Sequence, residues 1–180
     1  MKAKDLSYIA ICTALIVVCS WLTIALPIMQ FTLQVFAVAF CAYFLGVKRS
    51  VFSVLVFLLL GVVGLPVFSN FNSGYGAIVG PSGGFLIGFI PFVVIISSFE
   101  LLAKGKIFFR IVGAAIAHLV LYAVGISWYV VLSVTSKGSE FFTVLTSFTV
   151  AMLPLYAIDI IKIVGAMFLA SFLKKVLDRK

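Results

Sequence analysis

Six long apolar stretches, at about residues 6–26, 31–46, 49–65, 82–103, 107–133 and 153–175, occupy most of this 180-residue chain. Nothing constrains its fold more, because a water-soluble domain of this length has too little interior to bury them. The chain is 64% hydrophobic and 10% charged, with mean hydropathy +1.34, against about 45–50% and about 25% in an ordinary globular domain. Lipid as solvent removes the conflict, since side chains facing acyl tails can be apolar all round a helix. A span takes about 20 residues at about 1.5 Å rise each. The stretches at 31–46 and 49–65 are short and are expected to tilt or to end inside the protein. The first stretch is long and has no A-x-A-like site before the next, so it is expected to be a helix of the protein rather than a cleaved signal. The expected architecture is an all-α integral membrane protein, a single six-helix domain over 1–180.

Charge sets the expected orientation. The chain has 13 Lys and Arg against 5 Asp and Glu, net +8. They form short clusters between apolar runs, not the basic face a nucleic-acid partner needs. With six spans, Lys2 and Lys4, Lys48 and Arg49, Lys104, Lys106 and Arg110, and Lys174, Lys175, Arg179 and Lys180 fall on one side. The other side, made of 27–30, 66–81 and 135–152, carries only Lys137. Cytoplasmic connections collect Lys and Arg, so both termini are expected in the cytoplasm of a multi-pass plasma-membrane protein. The outer connections carry little charge and are rich in Gly, Ser and Asn, most of all 66–81, which has no charged residue. Irregular backbone at membrane depth needs protein or a cavity to satisfy it, so 66–81 is expected to fold over a binding cavity.

Asp159 and Lys162 are the charged residues well inside a predicted span, at i, i+3 on one face of the last helix. Ionisable groups at that depth are costly and commonly mark a functional cavity, although a purely structural ion pair would use the same residues. The pair supplies acceptor oxygens and an ammonium with three donors, suited to a ligand bearing N–H groups and a carbonyl or anion. The second feature is the Gly-rich stretch from Asn70 through Asn72, Ser73, Gly74, Tyr75 and Gly76 to Gly80-Pro81-Ser82-Gly83-Gly84-Phe85. It lacks the strand and βαβ context of a dinucleotide site and reads as a lid or pocket wall.

The remaining candidates are expected to be structural. Cys12, Cys19 and Cys41 lack ligand spacing and read as small hydrophobes. His118, alone in the fifth stretch, is expected to make an interhelical hydrogen bond. Trp21 and Trp128 fall near outer helix ends, the usual place of an interfacial belt; for Trp128, with Tyr122, lining the pocket is the alternative. Ala10 and Ala14 form a small-xxx-small pair that lets another helix approach. The sequence has no nucleophile–base pair, metal cluster or Walker motif, so no enzyme activity and no cofactor are expected.

Taken in order, Phe31-Thr32-Leu33-Gln34, Gly64-Leu65-Pro66-Val67-Phe68, Gly80-Pro81-Ser82-Gly83-Gly84-Phe85 and Asp159-Ile160-Ile161-Lys162, with Tyr122, Gly125 and Trp128, resemble the BioY family. These are biotin-specific substrate-binding subunits (S-components) of energy-coupling-factor (ECF) vitamin transporters. The resemblance runs over almost the whole chain. It implies a six-helix S-component fold that captures biotin at the outer face, with uptake powered by a partner ATPase module. The ureido head would meet Asp159, Lys162 and Asn72, the loop glycine Gly74 would approach closely, and Tyr75, Phe85 and Trp128 would wall the thiophane ring and valeryl chain. Ala10 and Ala14 match the family's AxxxA pattern, which docks on the membrane scaffold subunit beside the ATPase pair.

The chain departs from the family pattern at three points. Ala157-Ile158 stands where Pro-Gly is common, Phe85 where Tyr is frequent, and Leu86 where some members have Arg, which leaves the carboxylate's partner open. The competing readings are an S-component for another vitamin, and a small membrane enzyme or channel. A channel would show a polar stripe through several helices, whereas the polar residues here gather at one end.

Overall fold

The structure is a computed structural model that describes residues 3–25 and 30–177; expectations placed on Lys2, residues 26–29, the Lys137 side chain, Arg179 and Lys180 lie outside them. In chain order the elements are α1 (Ala3–Trp21), the strands β1 (Thr23–Ala25) and β2 (Gln30–Thr32), α2 (Gln34–Leu45), α3 (Val47–Val62), a 3₁₀ turn (Ser69–Phe71), α4 (Tyr75–Val79), α5 (Gly83–Ala103), α6 (Ile107–Lys137) and α7 (Phe141–Leu177). The chain is thus nearly all helical, and α1, α5, α6 and α7 are long and apolar enough to cross a membrane.

The short helix α2 is the hub. Its 12 residues span about 18 Å, and it packs against α7, α5, α1 and α3. Ala37, Val38, Ala39, Cys41 and Ala42 are fully buried. A helix shorter than a bilayer needs protein around it to cover its backbone ends, and the neighbours of α2 supply that cover. Small hydroxyls pin the bundle. Thr13 donates to the Ser53 carbonyl at 3.1 Å, joining α1 to α3. Ser97 on α5 donates to the Ala42 carbonyl at 3.0 Å and meets the Ser50 hydroxyl at 3.1 Å.

Basic and acidic side chains join at one end. Glu100 at the end of α5 takes Arg110 Nε at 2.6 Å and Lys174 Nζ at 3.2 Å, tying α5, α6 and α7 together. Arg49 pairs with Asp5 at 2.8 Å between α3 and α1. The turn before Arg49 is a single residue, Gly46, at φ +76°. It is tighter than expected, and it puts Lys48 and Arg49 in the first turn of α3.

Two boundaries differ substantially from the sequence expectation. The first apolar stretch leaves the helix at Trp21, and Thr23–Ala25 pairs antiparallel with Gln30–Thr32, Thr23 opposite Thr32. The span expected over 153–175 is instead Phe141–Leu177, and α6 runs to Lys137, so 135–152 is almost entirely helical rather than a loop. The cause is local. Thr135 folds its hydroxyl onto the Val131 carbonyl and Thr146 onto that of Phe142, both at 2.7 Å. Such i−4 bonds conceal the polarity that made the stretch look like a loop. Tyr129 on α6 then stacks on Phe148 of α7 at 3.8 Å between ring centroids.

Candidate ligand-binding site

Opposite the ion-pair end lies a cavity of about 330 Å³, within the range of small-molecule sites, about 300–1,000 Å³. Its polar lining is Thr32, Gln34, Ser69, Asn72, Ser82, Tyr122, Asp159 and Lys162, and Phe85, Leu86, Phe89, Met152 and Leu155 are among its apolar walls. The β-hairpin end, the start of α2, the 66–81 connection and the facing stretches of α5, α6 and α7 therefore meet at one point.

Asp159 and Lys162, 7% and 8% exposed, sit on adjacent turns of α7. Lys162 Nζ donates to Asp159 Oδ1 at 2.7 Å and to the Thr32 carbonyl at 2.6 Å. It also lies 3.8 Å from the centroid of the Phe31 ring, a cation–π contact. The ammonium thus clamps the hairpin end onto α7. The other carboxylate oxygen, Oδ2, accepts from the Tyr122 hydroxyl at 2.9 Å. A buried charge persists when it is paired and hydrogen-bonded, and here both conditions are met by three elements distant in sequence. Each carboxylate oxygen has a second lone pair, so the group can still accept N–H donors from a ligand.

The connection over the cavity is anchored rather than loose. Trp21 donates its indole N–H to the Pro66 carbonyl at 2.8 Å and packs on Phe71 at 5.2 Å. Phe68 is buried against Phe57. Asn70 and Phe71 both take φ +56°, a costly conformation for a phenylalanine. Asn72 follows, its Oδ1 accepting from the Ser73 N–H at 2.9 Å, and the residue lines the cavity.

On α6, Tyr122, Gly125 and Trp128 form one stripe with three tasks. Tyr122 holds Asp159. A Cβ on Gly125 would collide with the Phe85 ring, so the glycine is the seat of that ring, which meets Tyr122 edge-on at 5.6 Å. Trp128 donates to the Gly80 carbonyl at 3.0 Å and fills the space a Cβ on Gly84 would need. The close approach of α5 to α6 therefore requires glycine at 84.

Of the residues singled out from the sequence, Asn72, Phe85, Asp159 and Lys162 line the cavity, whereas Gly74, Tyr75 and Trp128 do not. Gly74, at φ +82°, turns the chain into α4 and donates its N–H to the Gly61 carbonyl at 2.7 Å. Tyr75 is 70% exposed because it opens α4 on its outward side. Trp128 acts one layer behind the wall, by holding the loop. His118 also differs from expectation: its ring is packed between Tyr122 and Tyr156, 4.7 and 4.3 Å from their centroids, and neither nitrogen has a hydrogen-bond partner. Cys12, Cys19 and Cys41 are buried free thiols. Ala10 and Ala14 lie on the exposed face of α1, opposite the buried Ile9, Cys12, Thr13 and Ile16. Sequence reasoning missed Phe31, Thr32 and Gln34 as wall residues, although they form one of the motifs it quoted.

The chain matches the model of the BioY family over residues 1–179. It is 38% identical over 177 residues to the biotin transporter BioY of Thermotoga maritima, covering 96% of each chain. To a probable biotin transporter BioY of Pyrococcus horikoshii it is 32% identical, covering 97% of this chain and 98% of the relative. Its fold is similar to the crystal structure of an S-component for biotin from an ECF-type ABC transporter, with TM-score 0.81 and 25% identity over 97% of this chain and 95% of that one. With a family match along virtually its full length, this chain belongs to the BioY family.

Proposed function

We infer that the chain is the biotin-binding S-component of an ECF-type vitamin transporter: a transport subunit, not an enzyme, with biotin as its cargo and no cofactor. The observation that carries this is the Tyr122–Asp159–Lys162 constellation at the wall of a cavity lined by both polar and apolar side chains. Biotin's ureido ring offers two N–H donors and one carbonyl. Asp159 can accept the N–H groups, and Lys162 on α7 and Asn72 in the 66–81 connection line the same cavity. Phe85, Leu86, Phe89, Met152 and Leu155 offer apolar cover for the thiophane ring and valeryl chain. Burial of Asp159 and Lys162 gives discrimination, because an analogue lacking one group leaves a site atom unpaired.

The expected topology is six membrane-crossing helices with both termini in the cytoplasm of the plasma membrane. Support comes from the Glu100–Arg110–Lys174 and Asp5–Arg49 pairs, which gather basic residues at the end opposite the cavity. Under that topology the cavity opens outward, and the basic end faces the energising ATPase pair. The exposed Ala10–Ala14 face of α1 is the proposed seat of the membrane scaffold subunit, since small residues allow close helix approach.

A vitamin panel tests the substrate assignment. Biotin should raise the melting temperature of the detergent-solubilised protein by several degrees, through ligand linkage to the folded state, and thiamine and riboflavin should leave it unchanged. A shift with another vitamin and none with biotin would transfer the assignment.

A further inference from the structure

The connection over the cavity also carries an apolar surface that takes no part in the cavity lining. Phe71 is 62% and Val63 81% exposed, and Leu65 and Leu22 are open as well. Trp21 gathers them. Its indole holds the Pro66 carbonyl, next in the chain to Leu65; its ring lies against Phe71, and Leu22 follows it. No charge enters this surface, because the chain has no Asp, Glu, Lys or Arg in 6–47 or in 50–99. The exposed polar residues flanking Phe71 are Asn70 and Asn72, both neutral.

This surface continues one that already faces lipid. Helix α1 is long and apolar enough to cross a membrane. From Ala10 to its end, its exposed residues are Ala10, Ile11, Ala14, Val18 and Trp21, all apolar. Ile11, Val18 and Leu22, spaced by seven and four, form one stripe up the helix, and the Leu22 N–H still bonds to the Val18 carbonyl. A large exposed apolar surface marks contact with a protein or a membrane. The lack of charge and the unbroken join to α1 select the membrane. A tryptophan among neutral amides suits the boundary between headgroups and acyl chains. The backbone points the same way. Phe71 holds φ +56°, which Asn adopts far more readily than Phe, and a local cost kept at such a position signals a role for its side chain.

We propose that the outer edge of the 66–81 connection, Phe71 and Leu65 around Trp21, is seated in the headgroup–acyl boundary of the bilayer, and that the membrane thereby holds the connection over the cavity. Phe71 adjoins Asn72, which lines the cavity, so displacing the ring moves the wall through one peptide link. The seating rests on the chain's membrane character alone; the holding rests on reading the cavity as a biotin site.

Both halves are tested in phosphatidylcholine nanodiscs. Phe71→Cys takes a nitroxide label, since Cys12, Cys19 and Cys41 are buried, and Lys106→Cys in the exposed α5–α6 turn serves as an aqueous reference. Oxygen partitions into lipid and Ni-EDDA stays in water. The ratio of their collision rates should be at least about threefold higher at position 71 than at 106. A smaller difference would overturn the seating. Phe71→Asn and Phe71→Trp are then compared with wild type by stopped-flow displacement of labelled biotin. Phe71→Asn should release biotin at least about threefold faster, with a ligand-free melting temperature no lower than wild type, because Asn suits the backbone. Phe71→Trp, which restores an interfacial ring, should release at the wild-type rate. A smaller acceleration in Phe71→Asn, a lowered melting temperature in that variant, or equally fast release from Phe71→Trp would overturn the holding. Failure of wild type to bind biotin would instead overturn the functional reading, and the collision ratios would still decide the seating.

Discussion

Lys162 Nζ donates to the main-chain carbonyl of Thr32 at 2.6 Å, joining residues 130 positions apart in sequence. The same ammonium holds Asp159 at 2.7 Å, so the ion pair and the hairpin end form one unit. The pair is structural, the proposed function gives it a second role in binding, and the two roles separate experimentally. Removing one member of a buried pair costs about 3–5 kcal/mol, whereas replacing both together costs far less. Lys162→Met is therefore expected to lower the melting temperature markedly and to abolish biotin binding. The double variant Lys162→Met/Asp159→Asn should recover most of the melting temperature and none of the binding. Differential scanning fluorimetry with parallel titration checks both; recovery of binding in the double variant would contradict the account.

Tyr122 supports the carboxylate from α6, through its bond to Oδ2 at 2.9 Å. Tyr122→Phe keeps the edge-on contact with Phe85 but removes a charge-assisted hydrogen bond, which is worth about 1.5–3 kcal/mol. Biotin affinity should fall roughly tenfold, by about 1.4 kcal/mol, as measured by titration calorimetry, with little change in expression or folding.

The asymmetry between what the sequence revealed and what it concealed has physical causes. Asp159 and Lys162 were legible because a charge in an apolar run has few explanations. The helices at 82–103 and 107–133 were legible because their apolar runs end at turn or basic residues, and the structure differs there by no more than the polar extension to Lys137. That extension, and the first three turns of α7, were hidden because Thr hydroxyls bonded to i−4 carbonyls look like loop polarity in a linear reading. Tyr75 does not reach the cavity because it opens α4, a helix of five residues too short to show its facing in the sequence pattern. Gln34 sat in a recognised motif, but its place in the cavity lining becomes visible only when the hairpin, α2 and the cavity are seen together.

Trp128 is predicted to control residence time rather than head-group recognition. It lies outside the cavity lining, and its indole N–H tethers the loop at the Gly80 carbonyl. Trp128→Phe preserves most of the packing behind Gly84 and removes the tether. Stopped-flow displacement of labelled biotin should show faster release, several-fold, with association changed little. An unchanged release rate would remove Trp128 from the lid.

Ala10 and Ala14 face outward on α1, away from both the cavity and the core. Replacing both with tryptophan should leave biotin affinity of the isolated protein within about twofold of wild type. Uptake by cells expressing the energising subunits should fall at least tenfold, and copurification with the scaffold subunit should be lost, since bulk at a small-residue seam prevents close helix approach. Normal uptake would move the docking surface elsewhere.

Among the described residues lining the cavity, Lys162 is the one base, and it already holds Asp159 and the Thr32 carbonyl, while Leu86 contributes an apolar wall, so under the proposed function the carboxylate end of biotin meets no dedicated cation. Biotin and biotin amide should accordingly bind within about threefold of each other. A hundredfold preference for the free acid would reveal a clamp on that end.

The central claim is that this cavity binds biotin through Asp159. Isothermal titration of the purified, detergent-solubilised protein with biotin tests it most directly, with wild type and Asp159→Asn side by side. The account predicts one site per chain with submicromolar affinity in the wild type, and weakening of at least about a hundredfold in Asp159→Asn, or about 2.7 kcal/mol, with the protein still folded. Absence of binding at submicromolar biotin, or equal affinity in the two proteins, would contradict it.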